Sequence, residues 1–276
     1  MTSADVPVAD GDPGWEDDPA GEPADPFADL TPARVLPEAD ALTLLTRGEL
    51  EVEGRLLDAS NGTFYCGVEL DGVRAAAVYK PVAGEAPLWD FPDGTLAERE
   101  VAAFEVSRRT GWDVVPPTVL RDGPAGPGMV QLWVDVDPSV DVVALVRTRL
   151  GTESEALRRV AVLDVVLNNA DRKGGHLLPE ASGVIHGCDH GLTFHAENKL
   201  RTVLWHWAGD PLPEDAVDVL AALAGALRGD ELPEVLGELL TGREVRATRH
   251  RVERLLARGV LPQPPDSHRA IPWPPF

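Results

Sequence analysis

The chain has 276 residues, with 46 acidic side chains against 25 Lys and Arg, for a formal net charge of −21. That balance argues against nucleic acid and anionic membrane surfaces as partners, because both demand cationic charge from the protein. Two cysteines, Cys66 and Cys188, are too few for a disulfide framework, and neither a basic-then-apolar leader nor a run long enough to span a bilayer is visible, so the sequence predicts a soluble cytoplasmic protein.

Residues 1–36 are rich in Asp, Glu, Pro, Gly and Ala, a composition that predicts a disordered acidic tail. Trp15 and Phe27 in it offer a docking motif for a protein partner. Ala41–Arg47 reads as a short amphipathic helix preceded by a start signal at Pro37–Asp40. Three antiparallel strands follow at Leu50–Leu57, Phe64–Leu70 and Val73–Lys80, joined by a turn at Ala59–Thr63 and by the Asp71-Gly72 hairpin signal. No G-x-G-x-x-G and no Walker A motif is present, which removes the main support for a dinucleotide-binding or P-loop fold.

Ala83–Thr95 reads as a long loop carrying Trp89 and Phe91, a candidate substrate-facing insertion. Leu96–Thr110 reads as a helix ended by Gly111, on which Leu96, Glu100 and Phe104 recur four residues apart. Glu100 therefore lies on the inward stripe, where a carboxylate needs a partner; Glu98 lies off it. Two strands follow, Thr118–Arg121 and Met129–Val134, joined by the loop Asp122–Gly128. Asp135–Pro138 reads as the boundary between a β-rich part, 37–135, and a helical part, 136–260.

The predicted helices of the second part are Val140–Leu150, Glu153–Leu167, Glu214–Leu227, Glu231–Leu240 and Arg243–Arg258. On the second of these, Ala156, Val160, Leu163 and Leu167 form a core-facing stripe, with Asp164 expected at its solvated edge. Residues 261–276 are Pro- and Trp-rich, either a docking segment for a protein partner or a stretch packed extended across the surface.

The densest chemistry lies between Asn168 and Phe194. Leu177-Leu178 and Val184-Ile185 read as the strands of a hairpin that turns at Glu180–Gly183. Asp171 precedes the first strand and Asp189 follows the second, so the hairpin would bring both carboxylates to one end. Such a pair can hold a divalent cation and accept a proton, the two tasks phosphoryl transfer requires. Lysine is scarce: the chain has Lys80, Lys173 and Lys199 against a background of arginine. A retained lysine then marks a place where a compact ammonium is wanted.

At these residues a resemblance appears. Asp171-Arg172-Lys173-Gly174-Gly175-His176, followed by Asp189-His190-Gly191, resembles the catalytic loop and metal-binding Asp-x-Gly of the protein-kinase-like superfamily. The wording N-x-D-R and then D-x-G-L-x-F is most similar to the phosphatidylinositol 3-/4-kinase branch, above all to type II phosphatidylinositol 4-kinases; HipA-like kinases are a more distant match. Val78-Tyr79-Lys80-Pro81 resembles that branch's third-strand V-x-K-P, and Gly128–Val134 resembles its hinge.

The resemblance covers residues 50–194 and implies an α+β, two-lobed fold. An antiparallel sheet with one main helix would form the N-lobe, and helices most of the C-lobe. It implies ATP and Mg²⁺, or Mn²⁺, as cofactors. Asp171 would be the catalytic base or orient the acceptor hydroxyl, and Lys173 would reach the γ-phosphate. Ser60, Asn61, Gly62 and Thr63 would cover the phosphates, and Lys80, paired with Glu100, would hold them. Gln131, Trp133 and Val134 would sit at the adenine, and Asp189 would bind metal, with His176 as the second candidate ligand. His176 departs from the family, which has asparagine there; imidazole is a poorer Mg²⁺ ligand than an amide oxygen and suits softer metals. The function implied is ATP-dependent phosphoryl transfer to a protein or small-molecule hydroxyl. A lipid acceptor is what the nearest branch implies, and the net charge opposes it. A nucleotidyl transferase and a nucleotide-binding pseudokinase or scaffold stand as alternatives.

Overall fold

The computed structural model describes residues 36–56, 62–92, 94–148 and 152–276. The predicted acidic tail, with Trp15 and Phe27, lies outside them, as do Ser60 and Asn61 of the turn expected to cover the phosphates. Helix α1 (Glu38–Arg47) starts three residues before the predicted Ala41, with Glu38 and Asp40 in its first turn and Arg47 in its last, as the helix dipole favours. Its buried face, Ala41, Leu44 and Leu45, packs on one side of a five-stranded antiparallel sheet.

The strands are β1 (Glu49–Arg55), β2 (Phe64–Leu70), β3 (Val73–Pro81), β4 (Thr118–Gly123) and β5 (Gly126–Leu132), in the order β1-β2-β3-β5-β4. Asp71 and Gly72 both take positive φ, 51° and 81°, as a two-residue primed turn demands, and so set the pairing of Leu70 with Val73. Ala75, Ala77 and Tyr79 of β3 join the core beneath α1. Alternation along the strand then sends Lys80 to the opposite face, toward the cleft. The predicted loop Asp122–Gly128 is mostly strand: β4 and β5 run up to a tight turn where Gly123 pairs with Gly126. A Cβ at Gly123 would overlap the Tyr79 ring, so the close approach selects glycine.

Helix α2 (Leu96–Arg108) is buried over most of its surface, with only Glu98, Glu105 and Arg108 reaching toward solvent. Ala97 and Val101 pack against Met129 of β5, whereas Ala102, Ala103, Phe104 and Val106 belong to the core of the helical lobe. The helix is thus a wedge shared by both lobes. Its first turn is held from the preceding loop, where the Glu85 carboxylate accepts the Leu96 and Ala97 N–H groups at 3.1 and 2.9 Å.

The helical lobe holds α3 (Val142–Arg147), α4 (Thr152–Leu167), α5 (Glu214–Ala226), α6 (Glu231–Leu239) and α7 (Gly242–Arg258). Helix α3 is shorter than the predicted Val140–Leu150. It begins at Asp141, whose carboxylate caps Val143 and Ala144, and Leu150 lies outside the described residues. Val160, Leu163 and Leu167 of α4 meet Leu220, Leu223, Val252 and Leu255 in the core. Asp164 is not at a solvated edge: it is fully buried, for a reason given below. Thr241 and Glu244 form a capping box at the start of α7, and Gly259 ends it with φ 65°.

The short strands β6 (Leu177–Pro179) and β7 (Ile185–Gly187) form the expected hairpin. The 261–276 segment packs against the loop that follows α4 and the segment around Thr202. Ala270 O accepts hydrogen bonds from Thr202 N (3.0 Å) and Trp205 Nε1 (2.8 Å), and Pro275 O accepts from Gly174 N (2.8 Å). The Phe276 ring covers Gly174 so closely that a Cβ there would collide with it.

Candidate active site

Six of the residues singled out in the sequence line one cavity of about 170 Å³ between the lobes: Lys80, Glu100, Asp171, Lys173, His176 and Asp189. Thr63, also expected at the site, makes a seventh, while the loop after β3 contributes Ala86 and Leu88. The first six side chains arrive on four different stretches of the chain. Lys80 comes from the end of β3, Glu100 from the middle of α2, and Asp171, Lys173 and His176 from the loop after α4. Asp189 follows β7 with φ 56°, a left-handed turn that directs its carboxylate back into the cleft.

The Lys80 Nζ donates to Glu100 Oε1 at 2.9 Å and also contacts Asp189 Oδ1. Burial works against the lysine's charge, but the carboxylates of Glu100 and Asp189 outweigh it and hold the ammonium well above its ordinary range. In return Lys80, against the opposing effect of burial, holds the Asp189 carboxyl far below the usual carboxylate range. Glu100 uses its other oxygen to accept the His190 backbone N–H at 2.8 Å. The buried carboxylate on the inward stripe of α2 is therefore satisfied on both oxygens.

Asp171 lies 3.2 Å from Lys173 Nζ. Burial raises its pKa, and Lys173 pulls the other way. Its backbone N–H donates to Asn169 Oδ1 at 2.9 Å, which helps hold the loop. His176 Nε2 stands 3.4 Å from Asp189 Oδ2. Burial pushes the imidazole pKa down to about 4, so the ring is neutral at neutral pH; its Nδ1 accepts the Lys173 N–H at 3.5 Å, which puts the ring proton on Nε2, facing Asp189. Cys188, between these groups, is pushed up to about 12 by burial and stays a thiol.

Three residues assigned to the adenine lie apart from this cavity's lining. Gln131 is buried and donates its amide to Thr118 Oγ1 at 2.8 Å. Trp133 meets the Tyr65 ring edge-on, with centroids 4.9 Å apart. Val134 lines a separate cavity of about 360 Å³ with Leu132 and Phe104. Gly62 packs against Gly84 and accepts no bulk between them.

Support for the site comes from residues that local patterning did not single out. Arg172 is fully buried and bonds Asp164 through Nε (3.1 Å) and Nη2 (3.0 Å). The same guanidinium donates to Cys188 O (3.0 Å) and to His190 Nε2 (2.6 Å). A guanidinium can only donate, so His190 Nε2 accepts and its proton sits on Nδ1. One arginine thus anchors the loop that carries Asp171 to α4 and to the Asp-x-Gly turn at once. Arg99 does a similar task on α2, donating to Thr193 O and Glu244 Oε1, each at 2.7 Å. A charged residue next to an apolar helical stripe was the available signal for Asp164, the same one that pointed to Glu100.

This architecture defines a protein-kinase-like fold. The solved structures it resembles include the Golgi casein kinase with Mn/ADP bound, at 13% identity and a TM-score of 0.54 over 83% of this chain and 80% of that one. A second structure of the Golgi casein kinase matches at 13% identity and a TM-score of 0.50, over 80% of this chain and 75% of that one. No family model matches the sequence. The chain belongs to the same family as Protein Rv2133c of Mycobacterium tuberculosis (strain ATCC 25618 / H37Rv), to which it is 47% identical over 269 residues, covering 86% of this chain and 96% of that protein. No helix among the described residues is long and apolar enough to cross a membrane.

Proposed function

We propose that the chain is an ATP-dependent phosphotransferase that acts on the hydroxyl of a protein or small soluble molecule. The observation that carries this reading is the convergence of Lys80, Glu100, Asp171, Lys173, His176 and Asp189 on one cavity between the lobes. The motif wording favours the phosphatidylinositol 3-/4-kinase-like branch. The net charge of −21 favours an acceptor in solution over one in an anionic membrane.

Lys80, fixed by Glu100, presents an ammonium to the phosphates. Lys173 supplies a second cation on the opposite wall, where charge develops on the transferred group. Asp171 accepts the hydrogen bond of the acceptor hydroxyl, and the burial that raises its pKa makes it the better base. The donor set of Asp189 and His176 fits a divalent cation: a charged carboxylate oxygen and the Nε2 of a neutral imidazole stand 3.4 Å apart at the cavity wall, and Nε2 would offer its lone pair once the ring proton moves to Nδ1. Among the described residues no cluster of three or more His, Cys, Asp or Glu forms a ready-made metal cage. Phosphate oxygens and water would complete the coordination, as is usual for metals carried with nucleotides. When bound, the cation neutralises charge on the phosphates. One nitrogen among the ligands favours Mn²⁺ relative to Mg²⁺.

The test is labelled ATP with the purified chain, incubated with Mg²⁺ or Mn²⁺ and candidate acceptors. Label from the γ-position on product, lost in Asp171→Asn and Asp189→Ala, is the expected result, with Mn²⁺ supporting the faster turnover. Transfer of label from the α-position would replace this reading with nucleotidyl transfer. Nucleotide binding without turnover under either metal would replace it with a pseudokinase.

A further inference from the structure

A second cavity, of about 540 Å³, lies in the helical lobe away from the cleft. One wall is a face of α7 that presents Arg251, Arg254 and Arg258 at i, i+3 and i+7, with His250 beside them. The facing wall includes Ala196, Asn198 and Leu200, from the segment that follows the Asp-x-Gly turn. None of the lining residues is Asp or Glu, in a chain whose net charge is −21.

The cations in this cavity are short of counter-charge. Arg251 donates to Val166 O (2.9 Å), His195 O (3.2 Å) and Thr248 Oγ1 (2.7 Å), all neutral acceptors. Arg254 and Arg258 have no hydrogen bond or ion pair among the described residues, whereas Arg159 and Arg228 of the same lobe each hold a carboxylate. Glu244 attracts Arg251 weakly and is already engaged by Arg99 at 2.7 Å. Burial, and then the charge of Arg254, push the Arg251 pKa down to about 9. Like charges one turn apart repel, and a desolvated cation without an anion is costly. An anion in the cavity would relieve both.

The rest of the lining is apolar or aromatic, with Trp205, Leu255 and Val260 among it. The volume falls within the range of about 300–1,000 Å³ typical of small-ligand pockets. We propose that this cavity binds an organic phosphate, with Arg254 and Arg258 holding the dianion and Trp205 and Leu255 receiving its carbon-bearing part. Guanidinium groups match phosphate geometry through paired N–H bonds. The site does not depend on the reading of the cleft. A phosphate seated there would lie against the segment 196–200, which Asn168 of the catalytic region also holds, through Nδ2 to Glu197 O (2.6 Å) and Oδ1 from Lys199 N (2.9 Å).

Calorimetric titration of the full chain with phenyl phosphate tests the proposal. Wild type and Lys80→Ala, which removes a cation from the cleft, are expected to bind equally. Arg254→Ala/Arg258→Ala is expected to bind about 100-fold more weakly, roughly tenfold for each guanidinium taken away from the phosphate. Both arginines are exposed, so the variant is expected to keep the wild-type melting temperature. Equal binding by wild type and the double variant overturns the proposal, as does binding lost in Lys80→Ala but kept in the double variant, which would put the anion in the cleft. A phosphoserine peptide compared with glycerol phosphate identifies the source. Tighter binding of the peptide supports a phosphorylated protein ligand at this site, and tighter binding of glycerol phosphate supports a free metabolite there.

Discussion

Glu100 joins Lys80 to His190: one carboxylate oxygen takes the ammonium at 2.9 Å and the other takes the His190 backbone N–H at 2.8 Å. Helix α2 is therefore bonded directly to the Asp-x-Gly turn. The helix is also clamped at Arg99 and shares Phe104 with the core of the helical lobe. In kinases the lysine–glutamate pair is often the element that regulation makes or breaks. Here withdrawing the helix would break the Glu100–His190 bond, strand the buried Arg99 and open the core around Phe104, so the pair is built into the packing.

Replacing Glu100 by Gln keeps the size and removes the charge that positions Lys80. Phosphoryl transfer is expected to fall about 100-fold in kcat/KM, the scale of losing one aligned charge at the reacting phosphates. Steady-state assays with labelled ATP measure it. Activity within twofold of wild type would separate Lys80 alignment from turnover.

The Asp164–Arg172 pair is buried on both sides. Breaking a buried pair by removing one partner costs about 3–5 kcal/mol, because the other charge is left without compensation. Asp164→Ala is expected to lose stability on that scale in urea unfolding. The double variant Asp164→Leu/Arg172→Met should lose less than the sum of the single changes. Additive losses would show that the two side chains do not act as a pair.

Stability of the metal-free chain is expected to fall as the pH drops from about 6.5 toward about 4, the span between the ordinary His176 pKa and its value in the fold. Over that range the unfolded chain binds a proton that the native one refuses. The contribution is complete above the unfolded value and disappears as pH falls to the folded one. His190 acts in the same direction, because burial and then the charge of Arg172 keep it neutral. Urea midpoints at three pH values in chelator measure the slope. His176→Asn should flatten it, and an unchanged slope would exclude the imidazole as its source.

Phe276→Ala removes the ring that covers Gly174, and should loosen the Gly174 N to Pro275 O bond of 2.8 Å. Amide exchange at residues 173–176 is expected to rise about tenfold, an opening free energy lower by about 1.4 kcal/mol. Exchange indistinguishable from wild type would show that the C-terminal residues do not hold this segment.

Much of this was legible in residue order. The Asp71-Gly72 turn, the hairpin after the Asp171 loop and the stripe that buries Glu100 all follow from local rules, in which neighbours two to four residues apart decide geometry. The same rules misplaced Asp164 at a solvated edge, because periodicity fixes an angle around a helix and says nothing about what packs there. Its partner, Arg172, is eight residues on and beyond the helix end. Arg99 is answered by Thr193 and Glu244, which are 94 and 145 residues away.

The chemistry-bearing side chains and their elements were thus determined by the sequence alone: Lys80 at a strand end, Glu100 on a helix, and Asp171 and Asp189 at the two ends of a hairpin. Tertiary structure decided that these groups share one cavity, that two buried arginines brace it, that Pro275 and Phe276 close over Gly174, and that the cationic face of α7 borders a pocket. Local patterns arise from short-range sterics and burial, which each segment carries with it. Convergence and long-range ion pairing depend on loop lengths and on how the two cores pack, and no window of sequence contains either.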